Sequence, residues 1–87
     1  MNTQRITITG GAGFIGSNLA HRLLAQGQRV TIFDNLSRSG GAQNLAWLRA
    51  EHGAQSFDLI QGELADFDAV QRACAGAQRI YHLAGQV

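Results

Sequence analysis

The chain has 87 residues, enough for one small domain that buries roughly 60% of its unfolded surface and too few for a second. Seven arginines, no lysine and six acidic residues give a net charge of +1, so no strong field favours nucleic acid or an anionic membrane. A single cysteine excludes an internal disulfide, and no apolar run approaches the ~20 residues of a membrane span, so we expect a cytoplasmic protein without a metal site.

The first predicted strand, Arg5 to Thr9, runs into a glycine-rich turn that opens a helix. Gly10 can adopt the tight turn, Gly13 lets a phosphate approach the backbone, and Gly16 lets the helix pack on the neighbouring strand. The helix N-terminus adds free N–H groups and the positive end of its dipole. The pattern predicts a cradle for the pyrophosphate of a dinucleotide. The alternative is a turn that needs glycine for packing only.

An acidic residue, Asp34, follows the second predicted strand, Arg29 to Phe33, at the distance from the glycine turn that dinucleotide-binding folds favour. A carboxylate there can accept hydrogen bonds from both ribose hydroxyls of an adenosine. It would also repel a 2′-phosphate, which favours NAD over NADP. Two alternatives remain open: Asp34 and Asn35 can simply form a turn, and Arg38 can pair with a 2′-phosphate.

Helical patterns fill the three intervals between the predicted strands. The first helix ends at Gly27 as its C-cap, and the second is predicted from Gln43 to Glu51, with Leu45 and Leu48 facing inward. Asp66 is the predicted N-cap of the third. The residues predicted to share the inward face of the third helix are Phe67, Val70 and Cys74.

The strands and helices together predict a βαβαβαβ order. The third and fourth strands are predicted at Phe57 to Gln61 and at Arg79 to Leu83. Right-handed crossovers between parallel strands give the spatial order 3-2-1-4. We therefore expect an α/β fold, the first half of a Rossmann-like doubly wound parallel sheet. The fourth strand would be an open edge that favours self-association.

Three segments carry a resemblance to a known family: TGGAGFIGSNLA at Thr9 to Ala20, DNLSR at Asp34 to Arg38, and YHLAGQV at Tyr81 to Val87. They resemble the extended short-chain dehydrogenase/reductase family, and within it the NAD-dependent nucleotide-sugar epimerases and dehydratases. The stretch that begins at DNLSR, together with HLAGQV, is similar to the CDP-tyvelose (CDP-paratose) 2-epimerases. The resemblance spans essentially the whole chain.

The resemblance implies an NAD site made of four groups of residues. Around the pyrophosphate it implies Gly10, Gly13, Phe14, Ile15 and Gly16. Around the adenosine ribose it implies Asp34, Asn35, Ser37 and Arg38. Where the family carries an aspartate against the adenine amino group, this chain has Glu63 followed by Leu64, and a solvated loop carboxylate is the alternative for Glu63. Beneath the cofactor, toward the nicotinamide ribose, it implies Leu83, Ala84, Gly85 and Gln86.

Family members transfer a hydride between a sugar carbon and nicotinamide with a tyrosine and a lysine four residues later. This chain has one tyrosine, Tyr81, and no lysine, so we expect no catalytic residue in it. The resemblance implies that residues 1–87 are the N-terminal part of the NAD-binding domain of a nucleotide-sugar epimerase or dehydratase, with the substrate domain outside this chain. The alternative is a module of the same superfamily that binds NAD(P) as a sensor or scaffold without catalysis.

Overall fold

The computed structural model describes residues 3–84 of the chain. Its elements alternate in the order β1 (Arg5–Thr9), α1 (Phe14–Ala25), β2 (Arg29–Asp34), α2 (Gly41–His52), β3 (Asp58–Gln61), α3 (Phe67–Cys74) and β4 (Arg79–His82). The predicted βαβαβαβ order is confirmed. Each strand begins and ends within one residue of its predicted bounds.

The four strands form one parallel sheet in the order β3-β2-β1-β4, as predicted. In the β1–β2 pair, Arg5 lies opposite Arg29 and Thr9 lies opposite Phe33. Because all strands run in the same direction, their carboxyl ends meet at one edge of the sheet. The glycine turn after β1 and the residues after β2, β3 and β4 therefore come together there.

Helices cover both faces of the sheet. On one face, α1 and α2 pack over the aliphatic side chains of β1 and β2, and the predicted inward residues Leu45 and Leu48 are both buried. The buried residues of this larger cluster are Ile6, Ile8, Ala12, Ala20, Leu23, Val30, Ile32, Leu45, Leu48 and Phe57. On the other face, α3 buries Phe33 in a smaller cluster.

The predicted inward face of α3 is wrong at Phe67, whose side chain is 73% exposed. Ala69 and Ala73 are the buried residues of this helix. They pack against the bulky Phe33, and the Thr7 hydroxyl donates a hydrogen bond to the carbonyl of Ala73 at 2.7 Å. The small side chains at these two positions let α3 lie close to the phenylalanine ring, and the predicted Val70 packs against the same cluster.

The helix ends follow known capping patterns. Gly27, with φ of 81°, lies just after the C-cap of α1, and its N–H donates to the Leu24 carbonyl while Gln28 N donates to the Leu23 carbonyl, both at 3.0 Å. This is a Schellman motif. The predicted N-cap of α3 is confirmed, because the Asp66 carboxylate accepts from Ala69 N at 3.1 Å.

The second helix begins two residues before its predicted start. Its N-cap is Gly40, which has a left-handed φ of 91° and makes no side-chain capping bond within the described residues. A sequence search for a capping Ser, Thr, Asp or Asn therefore finds no start at this position.

The helices are short, with 12 residues in each of α1 and α2 and 8 in α3. A membrane-spanning helix needs about 20 apolar residues. Across residues 3–84, no helix has the length and apolar character needed to cross a bilayer.

Candidate functional site

A cleft of about 940 Å³ opens at the carboxyl edge of the sheet. Every predicted site residue from the described part of the chain lines it: Gly10, Gly13, Phe14, Ile15, Gly16, Asp34, Asn35, Ser37, Arg38, Glu63, Leu64, Leu83 and Ala84. Gly85 and Gln86, also predicted, lie outside the described residues. Residues far apart in the sequence are therefore brought to one concave surface, as the crossover topology requires.

Gly10 forms the tight turn that the sequence predicts. Its φ is 76°, a left-handed conformation that glycine adopts without strain, and its N–H donates to the Phe33 carbonyl at 2.7 Å. A Cβ at this position would lie 2.7 Å from the backbone nitrogen of Ala84. The turn is thus packed between the end of β2 and the residues that follow β4.

Gly16 and Gly11 are packing glycines. A Cβ on Gly16 would collide with the carbonyl oxygen of Gly10 and lie 2.7 Å from Gly11 Cα, so the missing side chain at Gly16 lets the start of α1 lie against the turn. The close approach to β2 belongs instead to Gly11, where a Cβ would lie 2.7 Å from Ile32 Cγ2. The nearest atoms to a Cβ on Gly16 are therefore those of the turn, whereas the sequence predicts packing on the neighbouring strand.

Gly13 meets different surroundings. The nearest atom to a Cβ on Gly13 would be the Gly10 carbonyl oxygen at 3.4 Å, which is close to ordinary van der Waals contact. Gly13 lines the cleft and is the N-cap of α1. The open space beside its backbone is what a ligand needs in order to approach the chain closely.

The N-terminus of α1 points its first amides toward this cleft. The first helical hydrogen bond runs from Ser17 N to the Gly13 carbonyl at 2.8 Å, so the amides of Phe14, Ile15 and Gly16 precede it. Within the described residues, no side chain caps this end and no acidic residue lies in the first turn. Together with the helix dipole, these amides form an end that favours an anion.

Asp34 accepts hydrogen bonds from three backbone amides around the cleft. Its Oδ2 accepts from Ala12 N at 3.0 Å, its Oδ1 accepts from Leu36 N at 2.8 Å, and its carbonyl accepts from Gly62 N at 3.2 Å. The bond to Leu36, whose φ of 58° is left-handed, forms the turn that the sequence left open as an alternative. The bond to Ala12 goes further, because it ties the carboxylate to the glycine turn. Each carboxylate oxygen has a second lone pair for another donor.

A bridge of polar side chains joins the ends of β2 and β3. Asn35 Nδ2 donates to Glu63 Oε1 at 3.1 Å, and Asn35 Oδ1 accepts from Ser37 N at 3.0 Å. Glu63 is exposed but held by this bond. Its carboxylate therefore has a fixed neighbour at the cleft, which a freely solvated loop residue would lack.

The floor of the cleft follows β4. Leu83 N donates to the Thr9 carbonyl at 2.9 Å, which extends the parallel pairing of β1 and β4 by one more bond. Thr9 Oγ1 lies 2.7 Å from His82 Nδ1 and accepts from Ala84 N at 3.4 Å. These bonds hold the chain after β4 beside Gly10, where the small side chain of Ala84 leaves the cleft open.

A family model described as GDP-mannose 4,6 dehydratase matches residues 7–87. The chain belongs to this family. The predicted membership in the extended short-chain dehydrogenases/reductases is confirmed. CDP-paratose 2-epimerase of Salmonella typhi is 41% identical over 86 residues, a match that covers 97% of this chain and 25% of that protein.

Solved structures give the same picture of this member of the GDP-mannose 4,6 dehydratase family. The Bordetella bronchiseptica enzyme WbmG in complex with NAD matches with a TM-score of 0.80 and 30% identity, over 99% of this chain and 26% of that one. The Thermus thermophilus UDP-glucose 4-epimerase complex with NAD matches with a TM-score of 0.74 and 33% identity, over 95% and 24%. The chain thus spans about a quarter of the length of the relatives it matches.

Some cleft residues of this family member were not predicted from the sequence. They are Ala12, Phe33, Ser39, Gly41, Asn44, Gly62 and Ala65. Asn44 is the most informative, because its Nδ2 donates to the Ala12 carbonyl at 2.8 Å and so ties α2 to the glycine turn. No sequence motif marks this contact, since it depends on how α2 packs against the turn.

Proposed function

We propose that the cleft binds NAD, with the pyrophosphate at the glycine turn and the adenosine ribose at Asp34. The observation that carries this proposal is the 3.0 Å bond from Ala12 N to Asp34 Oδ2. It sets an open, anion-favouring helix end and a carboxylate side by side in one cleft. A dinucleotide offers the matching pair of groups, a diphosphate next to a ribose diol.

The residues present fit the cofactor. Gly10 and Gly16 pack the turn so tightly that neither has space for a Cβ, whereas Gly13 leaves its side open for a phosphate. Leu64 and Glu63 line the cleft at the end of β3, beyond Asp34, where an adenine would continue from the ribose. Leu83 and Ala84 line its floor. We propose that Gly85 and Gln86, which lie outside the described residues, also belong to the cofactor site.

We propose NAD rather than NADP. A 2′-phosphate at the ribose would bring its negative charge against Asp34, whose oxygens already face the cleft walls. Arg38 also lines the cleft and, as the basic side chain among its described residues, favours the opposite choice. It is exposed, so its charge is well screened by solvent and counts for less than the half-buried carboxylate.

We propose further that the whole protein is a nucleotide-sugar epimerase or dehydratase, of which this chain is the N-terminal cofactor-binding part. NAD, held by the cleft residues, would supply the hydride-transfer chemistry of such an enzyme. The residues of this chain would bind and orient the dinucleotide. The tyrosine and lysine that move the proton would come from elsewhere in the protein, because the 87 residues contain no lysine.

The absence of lysine also supports a second candidate, a module that binds NAD without catalysis. The remainder of the same gene product separates the two. A Tyr-x-x-x-Lys pair there would support the epimerase or dehydratase, and a product that lacks the pair would support the binding module.

Calorimetric titration of wild-type protein and Asp34→Asn with NAD and with NADP tests the cofactor proposal. The ratio of the two dissociation constants is the readout, because loss of the carboxylate also loosens the turn at Ala12 and Leu36 and weakens both dinucleotides. We expect wild-type protein to prefer NAD and the variant to lose about tenfold of that preference, equivalent to about 1.4 kcal/mol.

The matched control is Asp58→Asn, which removes the same charge from an exposed residue at the start of β3, outside the cleft. It should leave the NAD to NADP ratio unchanged. An unchanged ratio in Asp34→Asn as well would refute the ribose role of Asp34.

A further inference from the structure

His21 and His52 form a pair between α1 and α2, away from the cofactor cleft. His21 Nδ1 lies 2.8 Å from His52 Nε2, and the two ring centroids are 4.8 Å apart. Both side chains are half-buried. Trp47 also lies beside His21, with ring centroids 4.9 Å apart. None of the three residues lines the cleft, so this cluster has no part in the proposed function.

We propose that this histidine pair binds a divalent transition-metal cation that prefers tetragonal coordination, Cu²⁺ first and Ni²⁺ second. Imidazole nitrogens are common ligands of these ions. Two metal–nitrogen bonds of about 2.05 Å at a right angle place the nitrogens about 2.9 Å apart, whereas a tetrahedral angle needs about 3.3 Å. The observed 2.8 Å, a hydrogen bond in the metal-free pair, is close to the right-angled value, so binding requires the two rings to turn their facing nitrogens toward the ion rather than to move apart.

Metal binding need not release a proton from the two rings. In the metal-free pair, one facing nitrogen carries a hydrogen and the other offers its lone pair. Binding requires lone pairs on both His21 Nδ1 and His52 Nε2. The bridging hydrogen therefore moves to the outer nitrogen of its own ring, and both imidazoles remain neutral.

The position of the pair favours a cation. His52 is the last residue of α2, where the negative end of the helix dipole lies. The nearby Arg49 is engaged elsewhere, with its guanidinium 5.1 Å from the centre of the Phe57 ring. In residues 3–84 no three His, Cys, Asp or Glu side chains gather into a larger metal group, so water would complete the coordination.

Titration with CuCl₂, followed by tryptophan fluorescence, tests this site directly. Trp47 is the only tryptophan and its ring adjoins His21, so a bound paramagnetic ion quenches its emission. We expect saturable quenching with one ion per chain. His21→Asn and His52→Asn should each raise the apparent dissociation constant about tenfold or more, because each removes one of two protein ligands.

His82→Asn is the matched control, since His82 is the third histidine of the chain and lies on β4. It should bind copper as wild-type protein does. Quenching that persists in both single variants, or that disappears in His82→Asn, would overturn the proposal. Far-UV circular dichroism checks each fold, and if His21→Asn does not fold, the variant at the end of α2 decides. NiCl₂ in place of CuCl₂ should raise the melting temperature of wild-type protein and not that of His52→Asn.

Discussion

Gly13 and Gly16 lie three residues apart in one turn, and a methyl group added to each meets different surroundings. At Gly16 it would meet the backbone of Gly10 and Gly11, which cannot move aside without opening the turn. At Gly13 it would project toward the cleft, with its nearest neighbour 3.4 Å away. The two glycines are therefore separable by experiment, one through stability and the other through binding.

We predict that Gly16→Ala lowers the free energy of unfolding by about 2 kcal/mol, as overpacking of a tight site does. Gly13→Ala should cost less than about 1 kcal/mol, the difference between glycine and alanine at an N-cap. On the proposed function, Gly13→Ala should nevertheless weaken NAD binding about tenfold, which corresponds to about 1.4 kcal/mol. Urea unfolding and calorimetric titration measure the two effects. Equal losses of stability in both variants would contradict the assignment.

At the scale of elements, α3 depends on its cap. It has only 8 residues, and such a short helix is not stable on its own. We predict that Asp66→Ala, which removes the bond to Ala69 N, lowers the free energy of unfolding by about 1 kcal/mol. Asp66→Asn keeps an acceptor oxygen at the same place and should lower the free energy of unfolding by at most a few tenths of a kcal/mol. The midpoint of urea unfolding distinguishes them, and a similar loss in both variants would mean that the charge matters more than the bond.

The contact between α2 and the glycine turn gives a second prediction at this scale. Asn44→Ala removes the 2.8 Å bond to the Ala12 carbonyl and frees the turn on its α2 side. If the cleft binds NAD, affinity should fall about fivefold, the value of one hydrogen bond of about 1 kcal/mol. Gln43→Ala, an exposed neighbour outside the cleft, is the control and should bind NAD normally. Unaltered affinity in Asn44→Ala would show that α2 does not support the turn.

Local patterns predicted most of these elements, and tertiary packing decided the rest. Runs of β-branched and aromatic residues located all four strands. Asp66 marked the start of α3 and Gly27 the end of α1, because capping depends on residues close in the sequence. The inward face of α3 was mispredicted at Phe67, because Ala69 and Ala73 are the residues that pack on Phe33, whereas the predicted Val70 does pack against this cluster. Asn44 was missed for the same kind of reason, since its partner Ala12 lies in another part of the chain. The pairing of His21 with His52 likewise depends on how α1 and α2 pack, which no periodicity reveals.

At the scale of the whole molecule, β4 stands at one edge of the sheet and pairs with β1 on its inner side. Its outer edge presents backbone donors and acceptors, and Ile80 beside them is 49% exposed. An edge of this kind is a template for another strand. We propose that two copies of the 87-residue chain associate through β4.

Sedimentation velocity over a wide range of concentrations tests this association. We predict that the weight-average sedimentation coefficient of wild-type protein rises with concentration, and that Ile80→Lys suppresses the rise, since an edge lysine opposes strand pairing. Phe67→Lys changes an exposed apolar residue on α3 and should leave the association intact. A wild-type protein that stays monomeric at every concentration would contradict the proposal.

On the proposed function, Asp34 constrains any redesign of cofactor preference. Its oxygens hold the amides of Ala12 and Leu36, so a neutral apolar replacement leaves two backbone donors without acceptors, at about 1–3 kcal/mol for each that is buried. Serine offers one hydroxyl oxygen and can serve one amide at a time. A change from NAD to NADP preference therefore has to supply new acceptors for these two amides and, at the same time, a positive charge for the 2′-phosphate. Protein engineers should vary Asp34 together with Leu36 and Arg38 rather than alone.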